Sequence, residues 1–437
     1  MSVTVFSRFL GVGVATAFLA TATAQAQVPA DIAEGLKKIG QIVDPACTAK
    51  LYRPLMPKND FNTYWPPDAL APVFTGQLYP GVTITRDQSL GPNTKDVLDI
   101  LMADKGGENR PVLMYVPGGG GNKIEQQVRE GNAFYDNIGR WATKNGMVGV
   151  LVQRHPGRGG DNWDDPGRDI SMAVDWVYDN IKKYHGDPNR IFIWAHSAGN
   201  GPLGMYVGHP DRWKNGVRVK GAIFMSGNPV PTVGAAGRGA APGGAPGGPG
   251  AAPGGAPGGP GAAGGGRGPA PGSACGSTAG MVSNEGRIAG PSGLTTVGGL
   301  GGPGGPGAPG AGAPGGAPVG APGAGAPGGG RGRGPALTPE QQAERDNLPA
   351  FKATSVKIMV AYAELDPGVM NGAMPANAVA LHDELCKLDG PSAKDGAGHC
   401  PTMFMGKGES HMSEVFSPDT NDKIVTNAVL AFIKKVK

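Results

Sequence analysis

Residues 190–202 read "RIFIWAHSAGNGP": an apolar run that stops at Ser197, between small residues, and resumes as the start of a helix. The run has no polar alternation, as expected of a strand buried on both faces. Runs of the same kind recur: "GVTITRD" from 81, "DVLDILM" from 96, "PVLMYVP" from 111 and "GMVGVLVQ" from 146 on one side, then "KGAIFMSG" from 220, "SVKIMVAYA" from 355 and "PTMFMG" from 401. From the third run onward they alternate with stretches of helical spacing at Ile124–Thr143, Asp169–Tyr184, Gly201–Val207, Ala376–Leu388 and Thr420–Val436. Strands alternating with helices predict an α/β fold, a mostly parallel, eight-stranded sheet with helices on both faces. The first two runs, with no helix between them, predict an antiparallel start.

The chain has 437 residues, which by length alone suggests two domains. Composition points to one. Most of its 78 Gly and 42 Pro crowd into residues 234–335, in repeats such as "GGAPGGPGAAPGG". Such a tract has almost nothing to bury against about 1 to 2 kcal/mol of backbone entropy per residue, and is expected to be a disordered, low-complexity insertion. Glycine does not recur at every third position throughout, which makes collagen a poor reading. The island "SACGSTAGMVSNEGRI", with Cys275, interrupts the repeats. The insertion thus divides one domain into an N-terminal part, 27–233, and a C-terminal part, 336–437.

Residues 1–26 carry Arg8, an apolar stretch and "AQA" ending at Ala26, the pattern of a secretory signal peptide. The apolar stretch is too short to span a bilayer, and no later one reaches about 18 residues. The expectation is a periplasmic or secreted protein with no membrane span. The net charge of +4 is spread out, with no basic stripe carrying interleaved aromatics, so no nucleic acid is expected. In an exported chain, four cysteines suggest disulfides. Cys386 and Cys400, close in sequence between a helix and a strand, are the preferred pair; Cys47 with Cys275 follows by elimination.

Ligands in open α/β sheets bind beyond the carboxyl ends of the strands, where Ser197 sits. "AHSAG", Ala195–Gly199, has the form of a nucleophile elbow, G-x-S-x-G, with alanine in first place. Small residues two before and two after the serine are needed because the strand-to-helix turn is tight. A serine nucleophile requires a base, and the base an orienting acid. His411, in "GKGESHMSEVF", follows the last strand and so lies on the serine's side; His382 falls inside a helical pattern and His399 before the last strand. Asp366 and Glu364 both end the seventh strand, and Asp366, just beyond it, is preferred as the acid. "VPGGGGN" after the third strand offers backbone N–H groups, and Gly119 and Gly120, with the N–H of Ala198, are the expected oxyanion donors. The glycine run lacks a Walker Lys-Ser/Thr, no H-E-x-x-H occurs, and no cysteine–histidine spacing is of zinc type, so neither cofactor nor metal is expected.

With these elements "TKDVLDILMADKGGENRPVLMYVPGGGG", "DISMAVDWVYDNIKKYHGDPNRIFIWAHSAG", "VAYAELDP" and "SHMSEVF", the chain resembles the α/β-hydrolase superfamily and, within it, bacterial carboxylesterases related to hormone-sensitive lipase. The resemblance implies the α/β-hydrolase fold and a serine hydrolase that cleaves carboxylic esters through an acyl-serine at Ser197, with Asp366 and His411, acting on a small-molecule ester. It differs where the family usually has His before the glycines (Pro117), Gly at the elbow's start (Ala195) and "NYR" after the fourth strand ("QRH", 153–155). The insertion falls where relatives place part of a lid. A peptidase or amidase of the same fold, and a non-catalytic binding protein with a hydrolase-like body, stay open.

Overall fold

The computed structural model describes residues 27–41, 43–56, 79–91, 96–119, 135–154, 163–230, 338–367 and 374–436, and the backbone of 281–282 and 288–289. Its centre is an eight-stranded sheet: β1 (Val82–Ser89), β2 (Val97–Ala103), β3 (Arg110–Val116), β4 (Val148–Val152), β5 (Gly186–His196), β6 (Gly221–Met225), β7 (Lys357–Leu365) and β8 (Thr402–Ser410). The strands lie in the order β1-β2-β4-β3-β5-β6-β7-β8. Strand β2 runs antiparallel to both neighbours, and every pairing from β4 through β8 is parallel. This is the α/β-hydrolase topology, and the antiparallel start expected from the missing first helix is present.

The central strands are apolar without alternation because both faces are covered. Leu113, Tyr115, Phe192 and Trp194 join one core cluster, and Val112, Met114, Ile191 and Ile193, one residue out of step, join the other. The first cluster packs against helices α1 (Ala30–Ile39), α2 (Pro45–Tyr52), α3 (Asp136–Lys144) and, at the end of the chain, α10 (Ile424–Lys435). The second packs against α4 (Asp165–Asn180), α5 (Asn200–Gly208), α7 (Leu348–Ala353), which follows the short exposed α6 (Pro339–Glu344), and α8 (Met374–Cys386). A four-residue helix, α9 (Ser413–Phe416), follows β8.

The sequence placed α4, α5, α8 and α10 to within a few residues. The stretch expected as a helix from Ile124 is helical from Asp136, and 124–134 lie outside the described residues. Helices α1 and α2 precede the strand–helix alternation and were not foreseen. β6 and β7 are adjacent and parallel, Gly221 opposite Lys357, so the chain leaves the sheet at the carboxyl end of β6 and re-enters it at the amino end of the neighbouring strand. Within the insertion, Met281–Val282 pairs antiparallel with Ile288–Ala289, so the island forms a two-stranded hairpin where no regular structure was expected. Its Met, Val and Ile set it apart from the Gly/Pro repeats. Cys386 and Cys400 form the expected disulfide. Cys47 is also disulfide-bonded, while Cys275 lies outside the described residues.

Candidate active site

The carboxyl ends of β3, β5, β6, β7 and β8 gather the polar residues of interest. Ser197 directly follows β5 with φ of 52°, a left-handed conformation costly for a residue with a side chain. The surrounding backbone leaves no alternative. A Cβ on Gly199 would stand 2.7 Å from the Val116 carbonyl oxygen, and one on Gly118 would stand 2.8 Å from the Ser197 Cβ. Asn200 donates from Nδ2 to the carbonyls of Ser197 (2.9 Å) and Met225 (2.8 Å), tying the turn to β6. The turn so held leaves Ser197 half-buried and Ala198 exposed.

His411 follows β8 and Asp366 follows β7, both almost fully buried. The two meet as Nδ1 to Oδ1 at 2.8 Å. Asp366 Oδ2 also accepts from the Ala363 N–H at 3.0 Å. Burial pushes this carboxyl up, but the hydrogen bonds from His411, Ser226 and Ala363 outweigh it and hold Asp366 below the ordinary range. Ser197 comes to the pair through its neighbour: the His196 ring packs 4.6 Å from the His411 ring, and His196 Nε2 donates to the His411 carbonyl at 2.8 Å. Burial, together with the nearby His411, brings His196 down to about 3, so it stays neutral. Glu364 accepts from the Gly408 N–H at 2.7 Å and braces the β7–β8 connection instead of orienting a base. His382 lies on α8, and His399 pairs with Asp389 at 3.0 Å ahead of β8.

Three further residues were not singled out from the sequence. Arg154, buried after β4, donates from Nε to the Pro117 carbonyl (3.1 Å) and from Nη2 to the Gly119 carbonyl (2.7 Å). Burial lowers it only to about 10, so it stays charged and clamps the loop after β3. Gly119, at φ of 52°, takes without strain a conformation that is costly for a residue with a side chain; Gly120 lies outside the described residues. Ser226, directly after β6, sets its Oγ 2.5 Å from both Asp366 Oδ2 and Glu414 Oε2. A hydroxyl has one proton, so both contacts are hydrogen bonds only if one carboxyl is protonated. Burial, reinforced by the charge of Asp366, pushes Glu414 well above the usual carboxyl range, and Glu414 is therefore the protonated one. Glu414 stands three residues after His411, on α9. The loop between is fastened by the Ser410 N–H to Ser413 Oγ (2.7 Å) and by Ser413 Oγ donating to the buried Glu409.

This assignment has a measurable consequence. The folded chain keeps the Glu414 proton to higher pH than the unfolded chain, where it leaves near about 4.3. Its contribution to stability is complete below that pH and is lost as pH rises through the raised folded value. Glu414→Gln, neutral throughout, should therefore gain on the wild type in urea-unfolding stability between pH 4 and pH 8. A stability difference constant over that range would mean that Glu414 titrates alike in both states.

Residues 96–236 match the Carboxylesterase family. The match covers β2 to β6 with the glycine loop and Ser197, and ends before Asp366 and His411. Among curated relatives, "Secreted lipase 5" of Gibberella zeae is 28% identical over 139 residues, 29% of this chain and 24% of that protein. "Chlorogenic acid esterase" of Aspergillus niger is 31% identical over 110 residues, 23% of this chain and 20% of that protein. The chain thus spans about a quarter or less of the length of either. Among solved structures, a bacterial heroin esterase aligns over 82% of this chain and 86% of its own at 13% identity, with a TM-score of 0.45.

Proposed function

From its α/β-hydrolase fold and its Carboxylesterase-family sequence across 96–236, we propose that this chain is a serine hydrolase of small carboxylic esters. One observation carries the reading: a buried Asp366–His411 pair, 2.8 Å apart, beside a left-handed serine turn at the carboxyl edge of the sheet. Ser197 Oγ attacks the ester carbonyl while His411 Nε2 takes its proton. Asp366 holds the Nδ1–H tautomer and stabilises the imidazolium. The backbone N–H groups of Gly119, Gly120 and Ala198 receive the developing oxyanion. His411 then protonates the leaving alcohol, and water, activated by His411, hydrolyses the acyl-serine.

Pro117 stands where the family pattern has His, and the loop after β3 is held through its backbone. Its carbonyl, with that of Gly119, is one of the two oxygens that Arg154 grips, so the loop keeps an anchor. Arg154→Met should lower kcat by about a hundredfold, the scale of losing one oxyanion donor, with KM nearly unchanged. Arg154→Lys, which keeps the charge but not the fork, should recover only part. A loss confined to KM would remove Arg154 from the oxyanion loop's support.

Kinship with the hormone-sensitive lipase group, export directed by residues 1–26 and a hydrolase body interrupted at 234–335 belong to the same proposal. The disulfides suit an oxidising compartment, and among the described residues no helix is long and apolar enough to cross a membrane. The test is intact mass after a fluorophosphonate probe, followed by p-nitrophenyl esters of graded acyl length and matching anilides. One adduct with ester turnover is expected. Anilide turnover exceeding ester turnover would favour an amidase, and a folded chain with no adduct would favour a binding protein.

A further inference from the structure

Far from Ser197, the ring of His382 faces the Cys386–Cys400 disulfide. His382 and Cys386 stand one helical turn apart on α8, and Cys400 arrives from the segment that leads into β8. His382 Nε2 lies 3.4 Å from Cys386 Sγ, 3.6 Å from Cys400 Sγ and 3.5 Å from Asp395 Oδ1. Tetrahedral zinc, with Zn–S about 2.3 Å and Zn–N or Zn–O about 2.0 to 2.2 Å, places sulfur about 3.6 Å and oxygen about 3.4 Å from a ligating nitrogen. Three of the required separations are therefore already present. For the remaining three the two sulfurs must part to about 3.8 Å, and the Asp395 carboxylate must swing toward them, since of the four only His382, Cys386 and Cys400 have ligand atoms within 4.8 Å of one another.

The surroundings suit a metal as well. The other ring nitrogen, Nδ1, lies 3.0 Å from Asp383 Oδ1, the carboxylate–histidine arrangement that orients metal-bound imidazoles. Asp395 is held by the Met403 N–H at 2.7 Å, and the Cys400 backbone by Asp389 at 2.9 Å. His382 is 19% exposed and Cys400 is buried, so an ion has a route in and a partly dry seat.

We propose that, once the disulfide is reduced, His382, Cys386, Cys400 and Asp395 form a zinc site that replaces the covalent tie between α8 and β8. The reductant is a dithiol. Its two electrons break the Cys386–Cys400 bond, it closes to its own disulfide, and its two protons pass to the cysteine sulfurs. Zn²⁺ then binds both thiolates and releases those protons to solvent. The oxidised chain has no thiolates and binds no metal here.

The experiment uses the mature chain and a Cys47→Ala/Cys275→Ala variant that retains only this pair. Each is reduced with dithiothreitol, freed of it anaerobically and titrated with Co²⁺, with far-UV circular dichroism recorded throughout. The expected result is one Co²⁺ per chain with thiolate charge-transfer and tetrahedral d–d bands, displaced by Zn²⁺ and absent without reduction. His382→Ala should weaken binding by about a hundredfold and Asp395→Ala by about tenfold. Absence of the bands from the reduced chains, bands indifferent to His382→Ala, or loss of the helical spectrum on reduction would each overturn the site.

Discussion

Ser197→Ala should lower kcat for a short-chain ester by about a millionfold, the scale of removing the nucleophile of a serine hydrolase that acts through a covalent intermediate. The variant should also lose the fluorophosphonate adduct. The size follows from what the turn provides. Ser197 sits at φ of 52° between Gly118 and Gly199, whose missing side chains let the neighbouring strand approach and so fix where its Cβ stands. Alanine adopts the same backbone at similar cost, and the fold should survive, with a melting temperature close to that of the wild type. Residual activity above about one part in a thousand would show that Ser197 is not the attacking group.

Asp366→Asn should cost about ten thousandfold in kcat, as the equivalent change does in a serine protease. The asparagine fills the same space, but its amide N–H can turn toward His411 Nδ1 and stabilise the tautomer protonated on Nε2, which cannot accept the serine's proton. The mutation also removes the charge that reinforces burial in keeping Glu414 protonated, so the Ser226 hydroxyl becomes free to redistribute between the two side chains. A loss below about tenfold would transfer the orienting role to Glu414, the other carboxyl that touches Ser226. Comparing Asp366→Asn with Glu414→Gln separates the two, because only the former should abolish turnover.

The fold, and the meeting of Asp366 with His411 at the edge of the sheet where Ser197 stands, were legible because their signals are local. An apolar run of strand length, small residues around Ser197 and a strand–helix alternation are each written in a dozen adjacent residues. Chain order did the rest, since the carboxyl ends of parallel strands share one edge of the sheet. That rule set His411 apart from His399, and Asp366 from Glu364, while His382 was set apart by its helical pattern. The disulfide was legible for a similar reason: Cys386 and Cys400 lie 14 residues apart, at the end of a helix and just before the next strand.

Residues whose roles depend on partners distant in sequence were not legible. Ser226 reaches Asp366 across 140 residues and Glu414 across 188, and Arg154 reaches back 37 residues to Pro117. As sequence, Ser226 is one serine at a strand end and Glu414 one acid in a short helix. Strand register and burial give them their chemistry: they place two carboxyls on one hydroxyl and withdraw the water that would otherwise keep both ionised. The same holds for His382 and Asp395, which reach the disulfide only when α8 packs beside the lead-in to β8. The sequence by itself determined the strands of the central sheet, the tight turn at Ser197 and the edge of the sheet at which that serine stands. The tertiary structure alone decided which buried groups hold protons and which carbonyls are clamped, because those depend on distances and desolvation that no local pattern encodes.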